Sequence, residues 1–204
     1  MSAYKALILD VGGVLIEMPT RDARSAWERT HGLEQRALEE IFTEAIGPGW
    51  EGGRTEAEIE ARLCDACGIP PSELTGLLEA LAADERICPH WKLALDEIAG
   101  TLPMALLTNS GPNTRATLVT RHELERWFRV IVISAEEGLS KPHPVIYSRT
   151  CERLGRPPAE CLFVDDRQSN VAGAKAAGLD AIRFVSSRET IPLVLERLGL
   201  SHRR

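Results

Sequence analysis

Hydrophobic residues gather in five short runs that alternate with amphipathic stretches along most of the chain. The runs predict β-strands at Ala6–Val11, Met104–Thr108, Val130–Ser134, Cys161–Asp165 and Ala181–Val185. Each run is continuously apolar instead of alternating between apolar and polar residues. That pattern is typical of parallel strands that are covered on both faces of a sheet.

Helical patterns separate these strands in the second half of the chain. We predict helices at Trp91–Ala99, Asn113–Phe128, Pro144–Leu154, Ser169–Ala177 and Ile191–Leu198. The third helix is the best marked, because proline opens its first turn and a glycine follows its last residue. The alternation predicts an α/β fold, a three-layer Rossmann-like core with a parallel sheet.

Residues 17–89 interrupt this alternation, because no strand pattern is found there. Four helical patterns take its place, at Arg21–Thr30, Leu33–Ala45, Glu56–Cys67 and Ser72–Ala82. Glycine- and proline-rich stretches separate them. We therefore expect a core domain made of residues 1–16 and 90–204, with an α-helical bundle of residues 17–89 inserted after the first strand.

Composition and charge narrow the choice of partners and location. The chain has 204 residues, of which 44% are hydrophobic and 26% charged, so it can bury a core. Its net charge of −6 argues against nucleic acid or an anionic membrane as a partner. No apolar run is long enough to span a bilayer, and an acid interrupts the N-terminal run too early for a signal peptide. We expect a cytoplasmic protein with reduced thiols, either monomer or homodimer.

Polar residues stand at three of the predicted strand ends and in the loop after a further strand. They are Asp10, Thr108, Asn109, Asp165 and Asp166 at the strand ends, and Lys141 in the loop. Taken singly, each has an ordinary explanation as a helix cap or a turn residue. The carboxyl ends of parallel strands, however, share one edge of a sheet, where ligands bind in open α/β folds. The combination therefore predicts a site at that edge.

The residue types at this edge suit phosphoryl chemistry. Three carboxylates repel one another unless a positive charge joins them, and oxygen ligands without histidine or cysteine suit Mg²⁺. A metal, a lysine and a hydroxyl group can share the oxygens of a phosphoryl group. A carboxylate that remains available can attack phosphorus and form an aspartyl-phosphate.

Four segments resemble, in order, the four motifs of the haloacid dehalogenase superfamily of hydrolases. They are "LILDVGGVLI", "LLTNS", "SKPHPVIY" and "FVDDRQSN". The resemblance extends from Lys5 to Val185, and the inserted helices resemble the small α-helical (C1-type) cap of that family. It implies a phosphatase-type member that uses Mg²⁺ and acts on small phosphorylated metabolites.

The resemblance also implies a role for each residue of the first two motifs. Asp10 matches the nucleophile and is a metal ligand. The carbonyl group of Gly12 matches a backbone ligand to Mg²⁺, and Val11 and Gly12 lie where the substrate binds. Thr108 matches the hydroxyl residue that holds the phosphoryl group, with Asn109 beside it.

The last two motifs supply the remaining groups of the expected site. Lys141 matches the lysine that steadies the nucleophile and the phosphoryl oxygens. Asp166 matches the metal-binding acid, and Asp165 supports it directly or through water. Asn170 matches a residue that orients this loop without touching the substrate.

Gly12 departs from the pattern of the phosphatases in this superfamily, which usually carry a second aspartate there. That aspartate acts as general acid and base, a contribution of ~10²–10⁴-fold. Without it, we expect a preference for substrates with good leaving groups. Two alternatives stay open: a 2-haloacid dehalogenase, since halide leaves without a proton, and a catalytically weak protein that binds a phosphorylated ligand. Trp50, Arg54 and Arg21 are candidates to face the substrate from the inserted helices.

Overall fold

A five-stranded parallel sheet forms the centre of the protein, whose computed structural model describes residues 4–47, 53–112 and 114–200. The strands are β1 (Ala6–Leu9), β2 (Ile16–Glu17), β3 (Arg86–Ile87), β4 (Met104–Thr108), β5 (Val130–Ile133), β6 (Cys161–Asp165) and β7 (Asp180–Arg183). The order in the sheet is β5-β4-β1-β6-β7, and every neighbouring pair is parallel. The chain winds outward from β1 in both directions, so the carboxyl end of β1 lies where the winding reverses.

Helices cover both faces of this sheet. The helices of the chain are α1 (Asp22–Thr30), α2 (Ala37–Ile46), α3 (Glu56–Cys67), α4 (Leu74–Ala83), α5 (Pro89–Ala99), α6 (Thr114–Ala116), α7 (Ser134–Glu137), α8 (Pro144–Leu154), α9 (Gln168–Ala176) and α10 (Ser187–Arg197). Successive residues of β1 enter different hydrophobic clusters: Leu7 and Leu9 pack on one face, and Ala6 and Ile8 on the other. The predicted α/β class with a doubly covered parallel sheet is confirmed.

Helices α1 to α4 build a separate hydrophobic cluster. Leu38, Leu63 and Leu77 are almost completely buried at its centre. Two buried polar side chains also lie among these helices, and each has its own partner. Arg24 donates to the carbonyl of Leu81, and Glu28 accepts from Arg21. These helices therefore bury their apolar faces mainly against one another, as an inserted bundle requires.

A short antiparallel ribbon stands where the chain enters and leaves the helical segment. Strands β2 and β3 pair Ile16 with Ile87 and Glu17 with Arg86. The Arg86 guanidinium and the Glu17 carboxylate form an exposed ion pair at 3.0 Å. The expectation that residues 17–89 contain no strand was therefore wrong. Two-residue strands are too short to show an alternating pattern.

The helix predicted at Asn113–Phe128 is broken into short pieces. Asn113 itself lies outside the described residues. The segment contains α6, a π-helical turn at Thr117–Arg121 and a 3₁₀ turn at Leu124–Arg126. β-Branched residues lower helix propensity, and the hydroxyl of Thr120 donates to the carbonyl of Ala116, a bond that bends helices.

All five cysteines are free and buried, so they serve as packing residues. Within the described ranges, every helix is too short or too polar to cross a bilayer.

Candidate active site

Four segments converge at the carboxyl edge of the sheet. Asp10 directly follows β1, Thr108 ends β4, and Asp165 ends β6. Lys141 reaches the same place from the loop between α7 and α8. All four of these residues are buried.

Lys141 lies between two carboxylates. Its Nζ is 2.8 Å from Asp10 Oδ1 and 2.7 Å from Asp165 Oδ2. The side chain of Lys141 is 1% exposed, that of Asp165 0% and that of Asp10 10%. Charges so well shielded from water interact strongly. The lysine therefore holds both acids and balances one of their two negative charges.

Asp10 sits in an environment that opposes its ionisation. Burial is the main cause that raises the pKa of its carboxyl group, to about 6. The positive charge of Lys141 lowers this pKa, and the negative charge of Asp165 raises it further. The backbone N–H of Val11 donates to Asp10 Oδ1 at 2.7 Å. Oδ1 therefore accepts from both Val11 and Lys141, whereas Oδ2 accepts no hydrogen bond from the part of the chain that the structure describes.

The two neighbouring acids Asp165 and Asp166 differ in their surroundings. The oxygens of Asp165 accept from Lys141, from the backbone N–H of Arg167 at 2.8 Å and from Asn170 Nδ2 at 3.0 and 3.1 Å. The carboxylate of Asp166 is only half-buried and is not committed to any hydrogen bond within the described residues. Asp165 is thus fixed in place, while Asp166 is available to a ligand.

These acids form a donor set that fits a hard cation. One oxygen each from Asp10, Asp165 and Asp166 lies within 4.8 Å of the other two. Three carboxylates and one lysine leave an excess of negative charge, and oxygen donors of this kind suit Mg²⁺. The residues present therefore fit the ion that the sequence predicts.

Gly13 lets the backbone approach Asp166 closely. Its φ of +75° lies in the left-handed region, and a Cβ there would be 2.9 Å from Asp166 Oδ2. Gly13→Ala should therefore strain the turn and displace the carboxylate. We expect Mg²⁺ to bind at least about 10-fold more weakly, the range in which supporting residues of metal sites act. Calorimetric titration with Mg²⁺ tests this, with Gly100→Ala as the control, because Gly100 has open space and an ordinary φ. Equal affinities of both variants would contradict the expectation.

Gly12 offers open space where the phosphatases of the family carry an acid. A Cβ at this position would meet no atom within 4 Å, and its φ lies outside the left-handed region. The backbone therefore tolerates a side chain at position 12. The missing acid is a matter of sequence and not of steric exclusion.

Two serines lie beside Thr108: one pairs with its hydroxyl, and the other binds the backbone of the first. The Thr108 and Ser110 hydroxyls are 3.0 Å apart. The backbone N–H of Ser110 donates to Ser134 Oγ at 3.0 Å, and Ser134 Oγ lies 3.3 Å from the Ser110 carbonyl. Ser134 was not among the residues predicted for the site. Its place at the carboxyl end of the third predicted strand was the available signal.

Of the three residues that were expected to face the substrate from the inserted helices, two lie within the described residues. Arg21 is held by Glu28 and Glu39, and Arg54 donates to the carbonyls of Glu44 and Ala45 at the end of α2. Both guanidinium groups are thus engaged within the insertion. Trp50 lies outside the described residues.

Helix α3 approaches the edge of the sheet at Ile59. Ile59 is buried, and its Cδ1 is 4.0 Å from the place where a Cβ of Gly111 would be. Gly111 follows Thr108 and Ser110 in the turn after β4. The helical segment therefore lies close to the loop that borders the site.

Comparison with known proteins identifies the family. The family model for haloacid dehalogenase-like hydrolases matches residues 4–178, which include β1 and every segment of the site. The chain therefore belongs to the haloacid dehalogenase-like hydrolases.

The relatives within this family differ in activity. Acyl-CoA dehydrogenase family member 10 of Mus musculus is 29% identical over 96% of this chain, which spans only 19% of that protein. Phosphoserine phosphatase of Thermus thermophilus is 30% identical, over 72% of this chain and 63% of its own length. (S)-2-Haloacid dehalogenase of Xanthobacter autotrophicus is 29% identical, over 88% of this chain and 74% of its own.

A solved structure shows the same fold. A haloacid dehalogenase family enzyme of Bacteroides thetaiotaomicron, in complex with magnesium and inorganic phosphate, has a TM-score of 0.71 and 22% identity. The match covers 88% of this chain and 93% of that one.

Proposed function

We propose that this protein is a Mg²⁺-dependent phosphatase of small phosphorylated metabolites that forms an aspartyl-phosphate on Asp10. The observation that carries the proposal is the arrangement of Asp10, Lys141, Asp165 and Asp166. An uncommitted carboxylate beside the nucleophile has no evident role in a dehalogenase. In a phosphatase it would bind the metal ion that offsets the charge of the phosphoryl group. The phosphatases among the relatives and the magnesium and phosphate bound by the structural neighbour agree with it.

In the first step, Asp10 Oδ2 attacks phosphorus, and the bond from phosphorus to the leaving oxygen breaks. Lys141 keeps Asp10 ionised and draws the phosphoryl oxygens toward the nucleophile. The hydroxyl of Thr108 donates to one of those oxygens. The carboxylates of Asp10 and Asp166 and the carbonyl of Gly12 would hold Mg²⁺, with Asp165 behind them. The bound ion supplies positive charge that offsets the repulsion between nucleophile and substrate.

In the second step, water attacks phosphorus and releases phosphate, which regenerates the Asp10 carboxylate. An aspartate at position 12 would protonate the leaving oxygen in the first step. In the second step it would accept a proton from the attacking water. Gly12 can do neither. We therefore propose that good leaving groups, such as those of aryl, acyl or anomeric sugar phosphates, are favoured, or that water or the substrate itself supplies the proton.

Gly12→Asp is expected to raise the rate on alkyl phosphates, whose leaving groups need a proton. General acid and base catalysis contributes ~10²–10⁴-fold, and an imperfectly placed new side chain should recover part of that, about 10-fold. The measurement is kcat for aryl and alkyl phosphates whose leaving groups differ in pKa. The wild type should depend steeply on that pKa and Gly12→Asp less so. Gly12→Asn, which has similar size but no acid, is the control. A flat dependence in the wild type would contradict the proposed preference.

We also propose that residues 17–89 form a cap that sets the size of the substrate, while residues 1–16 and 90–204 form the core domain. The proximity of Ile59 to the turn at Gly111 supports this, because it brings a helix of the insertion close to one border of the site. The separate hydrophobic cluster of these helices and the ribbon of β2 and β3 would let them move as a unit.

The second candidate is a haloacid dehalogenase, which the open position at Gly12 and the Xanthobacter relative favour. Parallel assays with an aryl phosphate and with a 2-chlorocarboxylate, each with Mg²⁺ or with a chelator, separate the two. Phosphate release that requires Mg²⁺ supports the phosphatase. Halide release that persists in the chelator would replace it with the dehalogenase. Binding of inorganic phosphate with no turnover of any ester would instead favour the weak binding protein.

A further inference from the structure

We infer that Asn109 is a positioning residue that fixes the backbone of Lys141, instead of a residue that binds the substrate. The inference deepens the proposed function and rests on the role given there to Lys141. It revises the expectation that Asn109 lies against the phosphoryl group.

The side-chain amide of Asn109 grips the backbone of Lys141 from both sides of the residue. Asn109 Nδ2 donates to the Lys141 carbonyl at 2.9 Å, and the Lys141 N–H donates to Asn109 Oδ1 at 2.8 Å. The pairing uses one donor and the acceptor of the amide at once, as in a strand ladder. Residues 109 and 141 are far apart in sequence, so this pair ties the loop directly to the end of β4.

Helix α9 supports the same loop from another direction. A Cβ at Gly173 would lie 2.7 Å from both Cβ and the carbonyl oxygen of Pro142, the residue after Lys141. Glycine is therefore what allows the helix to approach so closely. The hydroxyl of Tyr147 donates to the carbonyl of Asn170 at 2.8 Å, and Asn170 in turn holds Asp165. The loop is thus held between the end of β4 and the helix that also places Asp165.

A fixed backbone matters because the lysine side chain is long and has four rotatable bonds. Its ammonium group must meet Asp10 and Asp165 at once, at 2.8 and 2.7 Å. A displacement of about 1 Å in a catalytic group can cost about 10²-fold in rate. Loss of the Asn109 amide should therefore act on the reaction through Lys141.

A double-mutant cycle tests this route. Asn109→Ala should lower kcat/KM for an aryl phosphate by about 10²-fold. In a Lys141→Met background the same change should alter the residual rate by at most about twofold, because residues that act through one another are not additive. If the two losses multiply instead, Asn109 acts on the substrate directly and the inference is overturned.

Hydrogen exchange gives a readout that does not depend on catalysis. In Asn109→Ala, the amide of Lys141 should exchange faster than in the wild type, since it loses its acceptor. Gly173→Ala should have the same effect on the peptide that contains Lys141 and Pro142, whereas Gly100→Ala should not. Unchanged exchange in Asn109→Ala would overturn the inference even if the protein is a phosphatase. Faster exchange in a protein that hydrolyses no phosphate ester would support the role of Asn109 in fixing the backbone of Lys141 and would reject the proposed function.

Discussion

Asp10→Asn is expected to abolish turnover of an aryl phosphate, with a loss on the order of 10⁴-fold or more, as for other removed nucleophiles. The amide has nearly the shape of the carboxylate and can still accept from Val11, but its oxygen is a poor nucleophile toward phosphorus. Initial rates with saturating Mg²⁺ measure the loss. A variant that retains more than about one tenth of the wild-type rate would contradict the role of Asp10.

The stability of the same variant serves as its control. Because the pKa of Asp10 is raised to about 6, its ionised form costs folding free energy above that pH, and the cost disappears as pH falls through it. Asparagine removes this cost, while Lys141 keeps its pair with Asp165. The metal-free variant should therefore unfold, at pH 7.5, at the same temperature as the wild type or a higher one. Lost activity with retained stability assigns the loss to chemistry.

Lys141→Met is expected to impair both stability and turnover. Methionine nearly matches the length of lysine but leaves Asp10 and Asp165 buried without their shared cation. Removal of one partner from a buried ion pair costs about 3–5 kcal/mol. Chemical unfolding of metal-free protein at pH 7.5 measures this cost. The rate on an aryl phosphate should fall by at least about 10²-fold, since the charge that steadies the nucleophile is gone.

A lower pH and a second substitution should each reduce the instability of Lys141→Met. Protonation of the Asp10 carboxyl group removes its repulsion with Asp165, so the difference from the wild type should shrink as pH falls below about 6. Asp10→Asn added to Lys141→Met should likewise restore part of the stability. Equal stability of Lys141→Met and the wild type at neutral pH would show that the lysine does not hold the acids together.

Much of the fold follows from simple patterns. The strands were visible because a sheet that is buried on both faces needs continuous apolar runs, as in Cys161–Asp165. The paired strands Ile16–Glu17 and Arg86–Ile87 were not visible, because two residues carry no period. The segment at 113–128 was predicted as one helix. Local bonds such as that of the Thr120 hydroxyl, which spacing does not show, break it up.

The site was predictable to the extent that it depends on strand ends. Asp10, Thr108 and Asp165 meet because parallel strands end at one edge, a rule that needs only the strand assignments. The rule cannot tell how side chains pair. Asn109 was expected beside the phosphoryl group, and only the structure shows that its side-chain amide pairs with the backbone of Lys141. The small residues around Gly173 indicated that its helix packs closely against another element. That the element is the loop at Pro142 could be seen only in the structure.

The most direct test of the central claim is a search for a phosphoryl group on Asp10 during turnover. Without an acid at position 12 to activate water, the second step should be slow and the aspartyl-phosphate should accumulate. The wild type, mixed with an aryl phosphate and Mg²⁺ and quenched in acid, should yield a peptide around Asp10 that carries the mass of one phosphoryl group. The peptide should be unmodified in a chelator and in Asp10→Asn. Phosphate release without any modification of Asp10, or release that continues in Asp10→Asn, would contradict the account.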